Sequence, residues 1–409
     1  MRGRYYALPM LFALLLPVTL HGQGSSSSSF GDRLLAALRE GTFGMAARYR
    51  FELVQDEASA LDAYASTLRT TVGYRTGLFE GFSAYLQFEN VSDIGAADQH
   101  NNGGSGHLAN GVSDRPVVAD PAVTDVHQAY VQYARSGVTV TGGRFVVNLD
   151  DQRFVGAVGW RQHHQSFDGA RVDGEWGNFG ASYIFLDDVH RIAGNQLKLW
   201  SHLLNAHYRI PSLGTITGYA YLLDYDEPSA LALSTNTFGG QFAGVQDLNE
   251  DWKVRYEAEY ATQQDAADNP DRVRADYIHL MGAGDYRGYG VRVGWESLSG
   301  DATDGKFTTP LATLHALNGW ADKFLSTPTM GLRDLYVRAD GPMGPIGAVL
   351  VYHKFQPATG DGDYGTEIDV QLTYESSWGQ LWGLRGAAYN ANGFSTDTKK
   401  FWAYTQWSF

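Results

Sequence analysis

Cysteine is missing from all 409 residues, which excludes disulfides and thiolate metal centres as sources of stability. Positive charge is also scarce. Thirty-one Lys and Arg stand against 45 Asp and Glu, a formal charge of −14, and that balance argues against nucleic acid as a partner. Beyond the N-terminal region there is no apolar run long enough for a transmembrane helix. No Pro/Ser-rich linker or shift of composition follows the serine run at 25–29, so the chain reads as one domain despite its length. What is present pulls the other way: 44% of residues are hydrophobic and 13% aromatic, yet mean hydropathy is −0.28. Apolar residues are therefore abundant but finely interleaved with polar ones.

The N-terminus sets the compartment. Arg2 and Arg4 precede the apolar run "ALPMLFALLLPVTL", and small Gly22 and Gly24 precede Ser25. This is the layout of a secretory signal peptide, residues 1–24, with cleavage ahead of Ser25. Residues 25–42 then form an N-terminal periplasmic segment, and residues 43–409 carry the fold.

From residue 43 onward, stretches with a two-residue period recur. In "MAARYRFEL", Met45, Ala47, Tyr49, Phe51 and Leu53 share one face, while Arg48, Arg50 and Glu52 take the other. "WKVRYEAEYA", "YGVRVGWES" and "IDVQLTYES" repeat the pattern, and their apolar faces often end in Tyr or Trp, as in interfacial aromatic girdles. Connections alternate between short turns and long loops, the longest at 92–123, 148–165 and 298–330. About eighteen strands with that alternation describe an all-β transmembrane antiparallel β-barrel of the bacterial outer-membrane type. The tail "FWAYTQWSF" is its closing strand, with Phe401, Ala403, Thr405, Trp407 and Phe409 facing lipid and both mature termini on the periplasmic side.

Charge on the lipid face costs about 2–4 kcal/mol at mid-membrane, so strand charges should face the lumen. The inward arginines are then Arg48, Arg50, Arg69, Arg75, Arg171, Arg209, Arg255, Arg274, Arg292, Arg338 and Arg385. Inward acids include Glu52, Glu89, Asp173, Glu175, Glu257, Glu259, Asp276, Glu296, Asp334, Asp369 and Glu375. Such a mixed wall is either an ion-pair lattice that stiffens the barrel or a path for anions.

One stretch is far from generic: "GRFVVNLDDQRFVGAVGWRQHHQSFDGARV", residues 143–172. Together with residues 34–53 and 309–337 it resembles the alginate export family of outer-membrane proteins. The resemblance implies an eighteen-stranded barrel and a pore lined by arginines through which an anionic polyuronate leaves the cell. It makes Arg144, Arg153, Arg161 and Arg171 candidates for the selective constriction and puts Arg48 and Arg50 on the adjoining wall. Asp150, Asp151 and Asp168 match acidic positions of the motif and would pair with those arginines. Asp168 and Arg171 differ in parity, which a bulge at Gly169 or a loop end turned into the lumen would reconcile.

Catalytic patterns are not found. "HALNG" at 315–319 resembles the histidine segment of outer-membrane phospholipases, but no serine strand accompanies it. Gly-x-Ser-x-Gly and His-Glu-x-x-His are both missing. His163, His164 and Asp168, or Asp361, Asp363 and Glu367, are weak metal-ligand sets. The chain therefore reads as a non-enzyme without cofactor or metal: a monomeric barrel in outer-membrane lipid.

Two functions remain open. Export of an acidic polysaccharide such as alginate, fed by periplasmic partner proteins, is favoured. The alternative is an uptake porin for small anions or oligosaccharides, with a narrow eyelet made by loop 92–123 or 298–330 folded inward.

Overall fold

A computed structural model describes residues 29–409; the signal segment 1–24 lies outside the described residues. Eighteen strands form one antiparallel sheet that closes on itself. The first thirteen are β1 Thr42–Asp56, β2 Ala63–Arg75, β3 Phe82–Asp93, β4 Val123–Arg135, β5 Val138–Phe145, β6 Ser166–Trp176, β7 Phe179–His190, β8 Gln196–Ile210, β9 Gly214–Leu223, β10 Thr235–Asp247, β11 Trp252–Asp265, β12 Arg274–Tyr286 and β13 Tyr289–Leu298. A small hairpin inside a loop supplies β14 Gly300–Asp301 and β15 Gly305–Lys306. The wall then resumes with β16 Leu332–Met343, β17 Ile346–Gln356, β18 Gly365–Glu375, β19 Leu381–Ala391 and β20 Thr398–Ser408.

Closure happens where the tail predicted it. β20 pairs with β1 from Ala46↔Ser408 to Asp56↔Thr398. Met45 and Phe409 also exchange backbone hydrogen bonds of 2.7 and 3.1 Å, so the first and last wall strands leave no open seam between them. Phe401 and Phe409 point outward and exposed, whereas Trp402 is fully buried inside. The same two faces run round the barrel. Val131, Leu280, Val293, Leu335 and Leu384 are exposed on the outer face, which forms the lipid-facing band a membrane barrel requires.

The alternation misleads in β12. There Ala275, Tyr277 and His279 are buried inside, so Arg274 and Asp276 stand on the outer face and not in the lumen. Asp276 accepts a 2.8 Å hydrogen bond from the outward Tyr260 hydroxyl. Both residues lie at the loop end of their strand, where outward charges meet solvent and headgroups.

Before β1 the chain forms a helix, α1 Phe30–Arg39, closed at its start by a reciprocal Ser29–Asp32 capping box, which satisfies two otherwise orphan N–H groups. It rests against the β2–β3 turn through an Arg33–Glu80 ion pair of 2.7 Å and an edge-on Phe30–Phe79 contact.

Most of the buried apolar core lies within the barrel. It is built from loops that leave the wall and fold inward, and these loops define the site.

Candidate functional site

β5 is short. It leaves the wall at Phe145, and residues 146–165 cross the lumen before β6 begins at Ser166. A second loop, residues 299–331, enters from the opposite wall. The two pair in the middle: Gly156 N donates to Leu311 O at 2.9 Å, and Thr313 N donates to Gln152 O at 3.0 Å. Thr313 Oγ1 donates to Gln152 Oε1 and accepts from Val158 N. Val158 takes φ 54°, a conformation that a β-branched residue holds only where its surroundings over-determine it. Phe154 anchors the crossing among Tyr219, Tyr277 and Phe307, with ring centroids 5.3–5.9 Å away.

Arginines fix this plug. From β1, Arg48 donates to the Gly159, Trp160 and Arg161 carbonyls and to Gln162 Oε1. Arg50 donates to the Trp160 carbonyl and pairs with Asp120, which reaches in from loop 94–122. Arg161 lies 2.8 Å from Asp322 and 3.5 Å from Glu52. Arg153 Nε lies 2.8 Å from Glu296 Oε1 at an angle that makes it an ion pair rather than a hydrogen bond, and its Nη2 donates to Asn318. All four arginines are buried. Burial opposes the Arg161 charge, but Glu52 and Asp322 more than offset it and raise its pKa. Burial alone would raise Asp120, yet Arg50 and Arg161 hold it below the usual carboxylate range. Trp160 completes the joint: it stacks on His315 with centroids 4.8 Å apart, while the Arg385 and Arg50 guanidiniums lie 4.2 and 4.9 Å from its ring. Burial, then the neighbouring cations, pushes His315 down to about 3, so it packs there neutral.

The structure corrects several expectations. Arg144 and Asp168 are not at the constriction. They are direct cross-strand partners, and their neighbours Phe145 and Phe167 fill the inner face. The pair therefore lies on the outer side of the wall, where it closes the gap that β5 leaves. Arg144 bonds both Asp168 oxygens and the Val126 carbonyl, and His190 also bonds Asp168. Asp168 keeps its outward parity without a bulge in β6; the extra residue of the β6–β7 pairing is Asp187. Asp150 and Asp151 do not pair with the motif arginines' guanidiniums either. Asp150 accepts from Asn205 and Tyr221, and Asp151 accepts from the Arg153 backbone N–H at 2.9 Å. Desolvation within the lumen, reinforced by Glu257 and Glu296, pushes Asp151 up to about 6, although its side chain is exposed to the lumen.

Four candidates do face open lumen: Arg171, Arg255, Arg292 and Arg338. Arg171 pairs with Asp173, Arg255 with Asp285 and Arg338 with Asp340, each within 2.9 Å and partly solvated. Arg292 sits directly opposite Arg338 across the β13–β16 pairing. Its Nε has no hydrogen-bond partner. Two like charges are thereby held side by side. The weak metal sets come apart: Asp168 is outside while His163 is buried within, and Asp363 pairs with Lys354 while Glu367 accepts from the Ala321 N–H.

The plug divides the space. On the long-loop side lies a cavity of about 590 Å³ whose charged lining is Arg115, Arg161, Arg191, Lys323 and Lys400 against Asp56 and Asp322. On the wall of β11–β17 lies a smaller one of about 220 Å³, lined by Asp151, Glu257, Glu296 and Asp334 together with Arg292 and Arg338. Glu296 and Asp334 there bond Asn318, and Glu257 bonds His279. These three acids are thus engaged, and the facing arginines are Arg338, paired with Asp340, and Arg292 beside it.

Sequence reasoning missed Trp160, Asp120, Asp322 and Asn318, all loop residues whose partners lie far along the chain. A tryptophan amid the arginines of a long loop was the signal available.

The sequence model of the alginate export family matches residues 39–299. Among solved structures, the barrel is similar to Acinetobacter baumannii OccAB2, with a TM-score of 0.71, 15% identity, and 91% of this chain and 98% of that one covered. It is also similar to Pseudomonas aeruginosa OccK9 (OpdG), with a TM-score of 0.70, 13% identity, and coverage of 91% and 99%. At these identities the likeness is one of fold. No curated protein matches the chain.

Proposed function

This chain belongs to the alginate export family, and from that membership we propose that it is a monomeric outer-membrane channel for small anionic sugars, uronates and their short oligomers. The coarse part of this reading, an outer-membrane channel, follows from family and fold together. The choice of small solutes rests on one observation: loops 146–165 and 299–331 are clamped across the lumen by buried ion pairs. Removing one partner of such a pair costs about 3–5 kcal/mol, so the plug is a fixed constriction. The cavity above it, about 590 Å³, falls within the size range of small-molecule sites.

The partition of charge supports an anionic solute. Cations outnumber acids around the upper cavity, which raises the local concentration of anions. Below the plug, the solvated pairs of Arg171, Arg255 and Arg338 are of the kind worth 0–1 kcal/mol. A passing carboxylate can replace the wall aspartate in such a pair, accepting the same forked N–H donors. The chain's residues bind and pass a solute on, and no bond is made or broken.

Liposome swelling with the reconstituted barrel tests this. Galacturonate and its dimer should enter faster than the neutral sugars of the same size, while a long polyuronate should neither enter nor block. Equal rates for acidic and neutral sugars would remove the anion reading. Passage of the polymer would restore export of an acidic polysaccharide, assisted by periplasmic proteins.

A further inference from the structure

At the end of the plug loop, where residue 165 returns to the wall, three metal-ligand side chains converge. Glu89 comes from β3, His127 from β4 and His164 from the loop; one carboxylate oxygen and two ring nitrogens lie within 4.8 Å of one another. His127 is placed by a bulge, because Phe88 and Gln87 pair with Val126 and Gln128 and leave His127 as the extra residue. Bulges of this kind re-aim a side chain.

The cluster is under-bonded. Glu89 and His127 are 1% and 3% exposed, yet Glu89 Oε2 and His127 Nδ1 have no hydrogen-bond partner. Buried polar atoms left without a partner are costly and call for an explanation. The other Glu89 oxygen accepts from His163 Nδ1 and from the His164 N–H at 3.0 and 3.1 Å. That second layer fixes the carboxylate while Oε2 stays 3.3 Å from His164 Nδ1. A comparable trio, Glu257, Glu259 and His279, differs in being satisfied: His279 bonds Glu257 and Tyr336, and Glu259 bonds Tyr219.

We propose that Glu89, His127 and His164 bind a divalent transition-metal ion of the zinc type, tying the end of the plug loop to the barrel wall. Two imidazoles and a carboxylate suit zinc, and they leave a fourth position open to water. Calcium and magnesium prefer an all-oxygen shell. Tetrahedral zinc spaces its ligands by about 3.3 Å, so small side-chain rotations close the cluster. The opposing feature is Arg69, whose Nη1 contacts the His164 ring while its Nε lacks a partner. The guanidinium must withdraw for the ion to enter, and it is therefore a negative determinant of affinity.

The experiment is zinc titration calorimetry on the untagged, detergent-folded full chain, with folding checked by heat-modifiable gel migration. One zinc ion per chain is expected. His127→Ala and His164→Ala should each weaken binding at least tenfold, and Arg69→Ala should tighten it. In planar bilayers, zinc should suppress current flicker of the native channel and leave His164→Ala unaffected. The absence of saturable zinc binding, or unchanged affinity in a folded His127→Ala or His164→Ala chain, overturns the site. An Arg69→Ala chain that binds no more tightly overturns the role given to that residue.

Discussion

The arginines of the plug and those of the wall below it are the same residue in the same lumen, and they do different work. Arg48, Arg50, Arg153 and Arg161 are buried, and their guanidiniums contact loop carbonyls, amides and carboxylates, although the Nε of Arg50 and of Arg153 makes no hydrogen bond. Arg171, Arg255 and Arg338 are partly solvated, each beside one aspartate, and Arg292 faces Arg338 across the β13–β16 pairing. A guanidinium that already fills its fork with protein acceptors holds structure, whereas one in a solvated pair can exchange partners with a solute. Family resemblance points to Arg144, Arg153, Arg161 and Arg171 as the selective constriction, with Arg48 and Arg50 on the adjoining wall, and so cuts across the two groups. Burial places Arg48, Arg50, Arg153 and Arg161 in the closure of the lumen, and under the proposed function selectivity falls to the solvated group.

The comparison breaks most visibly at Arg161. Arg161→Ala removes the cation that joins Glu52 to Asp322, a loss of the kind that costs about 3–5 kcal/mol for a buried pair. Asp322 still has the Lys400 charge and a hydrogen bond from neutral His315, and Glu52 still has Arg50, so the effect should lie toward the low end. The released plug should raise single-channel conductance at least twofold, with a lower midpoint in heat-modifiable migration. If conductance is unchanged, the plug is not held by this residue.

A second effect concerns the wall. Arg292→Ala combined with Arg338→Ala should leave stability within about 0.5 kcal/mol, as surface substitutions do, while anion selectivity falls severalfold in reversal-potential measurements. Removing one of two facing like charges also relieves repulsion, so the single Arg338→Ala variant should be slightly more stable than the native chain.

The third sharpens the contrast through pH. Asp151 lines the lower cavity with its pKa pushed up to about 6. It is neutral at pH 5 and anionic at pH 7.5, so the cavity gains a negative charge and anion selectivity should decline over that interval. The linkage has a definite sign. The folded pKa lies above the unfolded value of about 3.9, so the folded chain binds the extra proton and stability falls as pH rises from about 4 to 6. Asp151→Asn should abolish the selectivity change.

The smallest effect is expected outside the pore. Arg144→Ala removes a partly exposed pair with Asp168, worth about 1 kcal/mol or less after solvent screening, and should leave selectivity untouched.

How much could be read beforehand follows from how local each feature is. The wall was legible because lipid on one side and water on the other impose a two-residue period on every strand, as in residues 45–53 and 401–409. Loop parity and the closing strand came from the same source. The helix at Phe30–Arg39 carried its own local mark, Ser29 followed by Asp32, which was not recognised. The plug was not legible. Arg161 finds Glu52 and Asp322, and Arg153 finds Glu296, across separations that no periodicity encodes. Arg144 failed for a related reason: its facing depends on where β5 stops, and that is set by the plug loop's destination.

The most direct test of the division between closing and selecting arginines is a reversal potential in a tenfold KCl gradient, comparing Arg292→Ala/Arg338→Ala with Arg48→Ala. Loss of anion selectivity in the first, with Arg48→Ala keeping its selectivity while its conductance rises, is the predicted result. Selectivity that survives the double substitution but collapses in Arg48→Ala would contradict it and return the anion path to the plug.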